Sequence, residues 1–233
     1  MIITPSGDGS LTAFNEAYGE HYHSTKDGAL NETLIKHITP SFKLKSAKKE
    51  LYILDICFGL GYNTLATIWY FKKYAPNIKL HIYSPELDEK LVNSLTLFDY
   101  PKEFDRAILK SLVEEGIYED NALHLELYLG DAIDYIGKFE NFFDIVYQDA
   151  FSPVKNPTLW SYDWFKLIAK ATKEDAILTS YSTSFATRYN LYRNGFLIYD
   201  SKNSSTRDSL VASKVEIEGF KRVDMEHKIR CNL

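Results

Sequence analysis

Four acidic residues stand where a carboxylate can hold a nucleoside or handle a proton. Asp55 opens Asp55-Ile-Cys57-Phe58-Gly59-Leu-Gly61-Tyr-Asn63, Glu86 lies in Ser84-Pro85-Glu86-Leu87-Asp88, and Asp131 lies in Gly130-Asp131-Ala132. Asp149 opens Asp149-Ala150-Phe151-Ser152-Pro153-Val154-Lys155-Asn156-Pro157, just ahead of Trp160. Gly59 and Gly61 permit a tight turn and a close backbone approach that a side chain would block. The dinucleotide fingerprint G-x-G-x-x-G is not met, because Thr64 stands at its third glycine position, and this favours a nucleoside over a dinucleotide. Glu86 can accept both hydroxyls of a ribose, and Asp131 can accept a hydrogen bond from an adenine amino group. Asp149 can accept a hydrogen bond or a proton from a substrate. The same residues also have local uses: Asp88 or Glu86 suits a first helical turn and Asp131 a helix N-cap. The loop after Asp149 gathers prolines, Lys155, Asn156 and aromatic side chains that can stack or donate.

What makes these residues a set is their placement after apolar runs. Residues 51–58, 79–83, 124–129, 142–148 and 176–182 read as buried parallel strands, short and apolar. Between them, 63–75, 87–98, 103–115, 131–139 and 159–171 read as helices, the first stopped by Pro76. A helix over 184–195 ends at Gly195. The runs 196–201 and 210–217 follow one another without a helix and read as a closing antiparallel hairpin. The expected fold is α/β: a doubly wound, mostly parallel seven-stranded sheet with an antiparallel C-terminal edge. Ligands of such sheets bind beyond the carboxyl ends of the strands, where all four acids fall. A nucleoside lying across the sheet satisfies the series in order, and S-adenosylmethionine is the commonest such cofactor. Residues 1–48 are read as an arm packed on the core and 49–233 as a single globular unit.

Composition excludes other classes. With 233 residues, 45% hydrophobic and 25% charged, the chain is neither disordered, collagenous nor coiled coil. Cys57 and Cys231 offer no disulfide framework and no metal-ligand spacing. The N-terminus lacks the basic start and apolar run of a signal peptide, and there is no apolar run of about 18 residues for a membrane span. A cytoplasmic setting is expected. The net charge of −5 argues mildly against nucleic acid, yet residues 84–144 alone carry −10, which leaves +5 on the remainder. Basic residues gather at 36–49 and 188–230, a distribution compatible with nucleic acid.

The residues 55–63 resemble the first motif of class I methyltransferases. Their form Phe58-Gly59-x-Gly61-x-Asn63 is similar to that of the MnmC-type tRNA methyltransferases. The loop Asp149-Ala-Phe-Ser-Pro-Val-Lys-Asn-Pro-Thr-Leu-Trp160 resembles that family's D-x-F-x-P-x-K-N-P-x-x-W motif, the more specific of the two. The segment Tyr22-His23-Ser24…Gly28-Ala29…Glu32 resembles its Y-H-S…G-A…E segment. Cys57 departs from the family pattern by replacing a glycine.

The resemblance implies methylation of the aminomethyl group of 5-aminomethyluridine, often 2-thiolated, at the tRNA wobble position. It implies S-adenosyl-L-methionine bound by Asp55, Phe58, Gly59, Gly61, Asn63, Glu86, Asp131, Ala132 and Asp149, with no metal. It also implies a stand-alone methyltransferase without FAD. The partner would be the anticodon region of tRNA, with a functional link to the enzymes that install the aminomethyl group and no membrane association. Asp149 would be catalytic, as base or as orienting acceptor, and Phe151 would stack on the extruded uridine. Tyr22, His23, Ser24, Lys155, Asn156 and Trp160 would contact substrate, while Cys57 is read as core. Two other readings share the fold: an aminopropyltransferase-like small-amine transferase, and a nucleoside-binding scaffold without catalysis.

Overall fold

The computed structural model describes residues 2–232. The chain begins with a small antiparallel sheet of β1 (Ile2–Pro5), β2 (Leu11–Asn15) and β3 (Glu20–His21). A continuous helical stretch follows: α1 (Ala29–Thr33), a π-helical turn (Leu34–Ile38) and α2 (Thr39–Lys45). Then strands and helices alternate: β4 (Glu50–Ile56), α3 (Tyr62–Tyr74), β5 (Lys79–Glu86), α4 (Glu89–Ser94), α5 (Arg106–Glu115), β6 (Ile117–Glu119), β7 (Leu123–Leu129), α6 (Ala132–Ile136) and β8 (Phe143–Gln148). The chain continues through α7 (Tyr162–Ala171), β9 (Thr172–Ser180), α8 (Phe185–Arg193), β10 (Leu197–Ser201), β11 (Ser209–Ser213), β12 (Lys221–Arg222) and α9 (Met225–Asn232).

Among the described residues the main sheet has the order β12-β10-β11-β9-β8-β4-β5-β7-β6. The strands β9, β8, β4, β5 and β7 are parallel, and β11 is antiparallel to both β9 and β10. This is the doubly wound sheet with an antiparallel C-terminal edge that the alternation implies. It has nine strands rather than seven, because the short strands β6 and β12 extend its two edges. Both are too brief and too polar to show as apolar runs. The expected helix 87–98 is α4 followed by a 3-10 turn (Leu95–Leu97), and 159–171 divides into a 3-10 turn (Pro157–Trp160) and α7. Pro157 and the Ser161 N-cap account for the second break, since Ser161 Oγ accepts the Trp164 N–H and starts a new helix.

The central strands are apolar because both their faces are covered. Leu51, Ile53 and Ile145 pack into one layer with α3, while Leu54, Ile56 and Val146 pack into the other with α7. The order reverses at β4, which pairs with β5 on one side and β8 on the other. A crevice opens there beyond the strand ends. No helix among the described residues is long and apolar enough to cross a membrane.

Candidate active site

The crevice is a cavity of about 1290 Å³, larger than the roughly 300–1,000 Å³ of ordinary small-molecule sites. Its floor is the turn between β4 and α3. Gly61 has φ +76°, and a Cβ there would sit 2.7 Å from the Phe58 ring. Cys57 also has positive φ (65°), unusual for a residue with a side chain. Read from sequence as core, Cys57 in fact lines the cavity, and burial pushes its thiol pKa up.

Glu86 ends β5 and faces the cavity. Its Oε2 accepts the Gly59 N–H at 2.8 Å, and its Oε1 accepts the N–H groups of Leu87 and Asp88 at 2.9 Å each. One carboxylate therefore ties the turn after β4 to the turn after β5. Burial raises its pKa, and the three N–H groups offset part of that rise. Asp131 lines the cavity and also caps α6, its Oδ1 accepting the Ile133 N–H at 2.7 Å. The N-cap use foreseen for it is present, and the carboxylate has further lone pairs beyond that bond.

Asp149 stands just beyond β8. Its Oδ2 accepts the Asn63 amide at 2.9 Å, and its Oδ1 lies 3.4 Å from His37 Nε2. Burial pushes the carboxyl pKa up, but the His37 charge and hydrogen bond, the His23 charge and the Asn63 amide outweigh it. The net effect holds Asp149 below the usual carboxylate range. Asn63 is the hub: it also donates to Asp55 Oδ1 at 3.2 Å and accepts from Thr33 Oγ1 at 3.0 Å.

The N-terminal segment forms the roof. His23 is buried, and burial lowers its pKa against the opposing pull of Asp149 and Glu32. Glu32 accepts the Ser24 N–H at 2.7 Å and pairs with the buried Lys36 at 2.5 Å. Tyr18 stacks on Phe151 with ring centres 4.4 Å apart, and Tyr22 tilts against the same ring at 5.0 Å. Glu20 accepts the Ser152 N–H at 3.0 Å and its hydroxyl at 2.5 Å.

Of the residues singled out by sequence, the structure brings Tyr22, His23, Ser24, Phe58, Gly59, Asn63, Glu86, Asp131, Ala132, Asp149, Phe151 and Asn156 to the cavity wall. Asp55, Gly61, Lys155 and Trp160 lie outside that lining. Asp55 is fully buried beneath the turn, bonded to Thr64 Oγ1 at 2.8 Å and to Asn63, so it organises the turn from below the cavity lining. Trp160 is buried and its indole N–H donates to Phe151 O at 2.8 Å, which holds the loop from behind. Lys155 is exposed, and its Nζ would lie 3.6 Å from a Cβ on Gly19 in the β2–β3 hairpin. Phe151 does line the cavity, but Tyr18 covers its ring.

Part of the expected basic face is consumed within the protein, while Lys43, Lys49, Arg193, Lys202, Lys221 and Arg230 are exposed. Lys36 pairs with Glu32, Lys48 with Asp144 and Asp175, and Arg188 with Asp200, while Lys45 bonds to Asp175. Arg207 remains exposed at the cavity rim. Sequence reasoning missed His37, Tyr18, Glu20 and Tyr181. Glu20 sits two residues before Tyr22, which it did weigh, but no local signal marks His37.

A mostly parallel sheet reversing at β4, with a glycine turn, an acid after β5 and an acid after β8 around one cavity, is the arrangement of Rossmann-like methyltransferases and their fold relatives. Residues 96–215 match the profile of a family of S-adenosyl-L-methionine-dependent methyltransferases. The chain belongs to that family, and it is an MnmC-type methyltransferase domain. In the crystal structure of MnmC2 from Aquifex aeolicus, 74% of the chain superposes on 98% of this one with a TM-score of 0.85 and 35% identity. An uncharacterized protein of Methanocaldococcus jannaschii is 34% identical over 210 residues, covering 87% of this chain and 56% of that protein. The tRNA 5-methylaminomethyl-2-thiouridine biosynthesis bifunctional protein MnmC of an Azoarcus species is 31% identical over 218 residues, 84% of this chain and 33% of that protein. The chain thus spans about half the length of the first of these relatives and a third of the second. Spermidine synthase from Thermotoga maritima shares the fold, with a TM-score of 0.57 at 14% identity.

Proposed function

We propose that this chain transfers the methyl group of S-adenosyl-L-methionine to the 5-aminomethyl group of the wobble uridine of tRNA. The product would be 5-methylaminomethyluridine or its 2-thio form. The observation that carries the reading is Asp149: a carboxylate held ionised at the cavity wall, on the loop that bears the family's most specific motif. Names of relatives that concern tRNA 5-methylaminomethyl-2-thiouridine add support. The cytoplasm, where tRNA is modified, is the corresponding setting, and the enzymes that install the aminomethyl group would supply the substrate.

The residues present fit the methyl donor. The backbone of 57–60 approaches the cavity so closely that a Cβ on Gly59 would meet Tyr22 at 3.2 Å. Glu86 keeps lone pairs for ribose hydroxyls, and Asp131 with Ala132 stands where an adenine edge would lie. The donor supplies an electrophilic sulfonium methyl when bound. The protein's task is then placement, which can account for about 7–11 kcal/mol of barrier. Asp149 would accept an N–H of the substrate amine and aim its lone pair. A carboxyl pKa below the usual range suits an acceptor better than a proton store. Phe151 would stack on the uridine only after Tyr18 leaves its ring, so base entry and movement of the β2–β3 hairpin are coupled in this reading.

Mass spectrometry of wobble nucleosides from cells lacking the protein tests the reading. Accumulated 5-aminomethyluridine is expected, and an unchanged profile in a strain without a second such enzyme refutes it. Transfer to putrescine from decarboxylated donor without tRNA would favour the aminopropyltransferase reading instead.

A further inference from the structure

Behind Asp149 sits a buried histidine that makes no contact with the cavity. His37 is 1% exposed and comes from the π-helical turn between α1 and α2. Such turns re-aim side chains that a regular helix would point elsewhere. His37 Nδ1 lies 2.8 Å from the hydroxyl of Thr179, a fully buried residue of β9. Its Nε2 lies 3.4 Å from Asp149 Oδ1, within ion-pair range, and makes no well-formed hydrogen bond.

We propose that His37, oriented by Thr179, is a positioning residue for Asp149. This rests on the reading of Asp149 as the group that accepts the substrate amine. The tautomer follows from the partners. If Nδ1 carried the proton, the Nε2 lone pair would face a carboxylate oxygen. If the Thr179 hydroxyl donates to Nδ1, Nε2 carries the proton and directs it at Oδ1. Asn63 already holds Oδ2. Asp149 then has a hydrogen-bonded donor at Oδ2 and an N–H directed at Oδ1 from inside the protein, while the carboxylate lines the cavity. The charged and titratable groups around the pair are His23, the Glu32–Lys36 ion pair, Asp55, Tyr147 and Tyr181. Tyr147 tilts against the imidazole at 5.5 Å. Burial holds the pKa values of Tyr147 and Tyr181 above the usual range, so both phenols stay neutral through the working pH range.

The test reads the Asp149 carboxyl itself, by carbon-13 titration of the full-length protein, beside the pH profile of methyl transfer. In His37→Gln the carboxyl should titrate about one pH unit or more higher than in the wild type. The acid limb of kcat should move with it, while KM for the methyl donor stays unchanged. Thr179→Val should move both in the same direction by less, and Thr179→Ser should restore them. The Thr179 pair keeps the proposal testable if His37→Gln fails to fold. An unmoved carboxyl titration in the folded variants overturns it. A moved titration in a protein with no transfer to aminomethylated tRNA would refute the proposed function and leave the positioning role standing.

Discussion

Asp55→Asn separates an organising carboxylate from a ligand contact. Asp55 is fully buried, and its pKa is pushed up to about 7 by burial, then lowered in part by Thr64 and Asn63 and raised by Asp149. Its ordinary value is 3.8. Between these values the folded protein holds a proton that the unfolded chain has released, so this group's contribution to stability falls as pH rises from about 4 to about 7. The gap corresponds to about 4 kcal/mol when fully expressed, at about 1.4 kcal/mol per pH unit. Asparagine keeps the geometry: its oxygen can accept the Asn63 amide and its nitrogen can donate to the Thr64 hydroxyl. It cannot titrate. Urea unfolding of both proteins from pH 4 to 8.5 should show the variant gaining several kcal/mol on the wild type across pH 4 to 7, then a constant difference. Because Asp55 lies outside the cavity lining, calorimetric affinity for S-adenosylmethionine should stay within about threefold, well under 1.4 kcal/mol. Parallel stability curves would refute the assignment of a buried, proton-holding Asp55.

Gly61→Ala places a Cβ 2.7 Å from the Phe58 ring at φ +76°; the left-handed backbone alone costs about 1–2 kcal/mol, so urea midpoints should fall and donor affinity should weaken. Unchanged values of both would contradict the account of the turn. Glu86→Gln sets an amide NH₂ against one of three N–H groups that the carboxylate now accepts. Donor affinity should drop at least tenfold, about 1.4 kcal/mol, with the circular dichroism spectrum unchanged, and undiminished affinity would remove Glu86 from the site.

The main sheet was legible because its strands are buried on both faces. Runs such as Leu51–Ile56 and Phe143–Gln148 are mostly apolar, and the acids at their ends stand out by contrast. The N-terminal sheet was not legible. Its strands are short and partly exposed, and Glu20–His21 carries no apolar residue at all. The roof of the cavity, including Tyr18 over Phe151, follows from that sheet. Asp55 and Trp160 were read as contacts because sequence marks position along the chain and not depth below the surface. His37 had no signal, because the hydroxyl that orients it lies 142 residues away and the π-helical turn that aims it has no compositional mark. The count of basic residues likewise could not tell surface lysines from Lys36 and Lys45, which are buried in ion pairs.

The most direct measurement is transfer of labelled methyl from S-adenosylmethionine to tRNA that carries 5-aminomethyluridine, with Asp149→Ala as comparison. The account predicts label in 5-methylaminomethyluridine with the wild-type protein, and a rate roughly 10²–10⁴-fold lower with the variant, whose calorimetric affinity for the donor persists. A wild-type protein that binds the donor yet labels no tRNA nucleoside would contradict it.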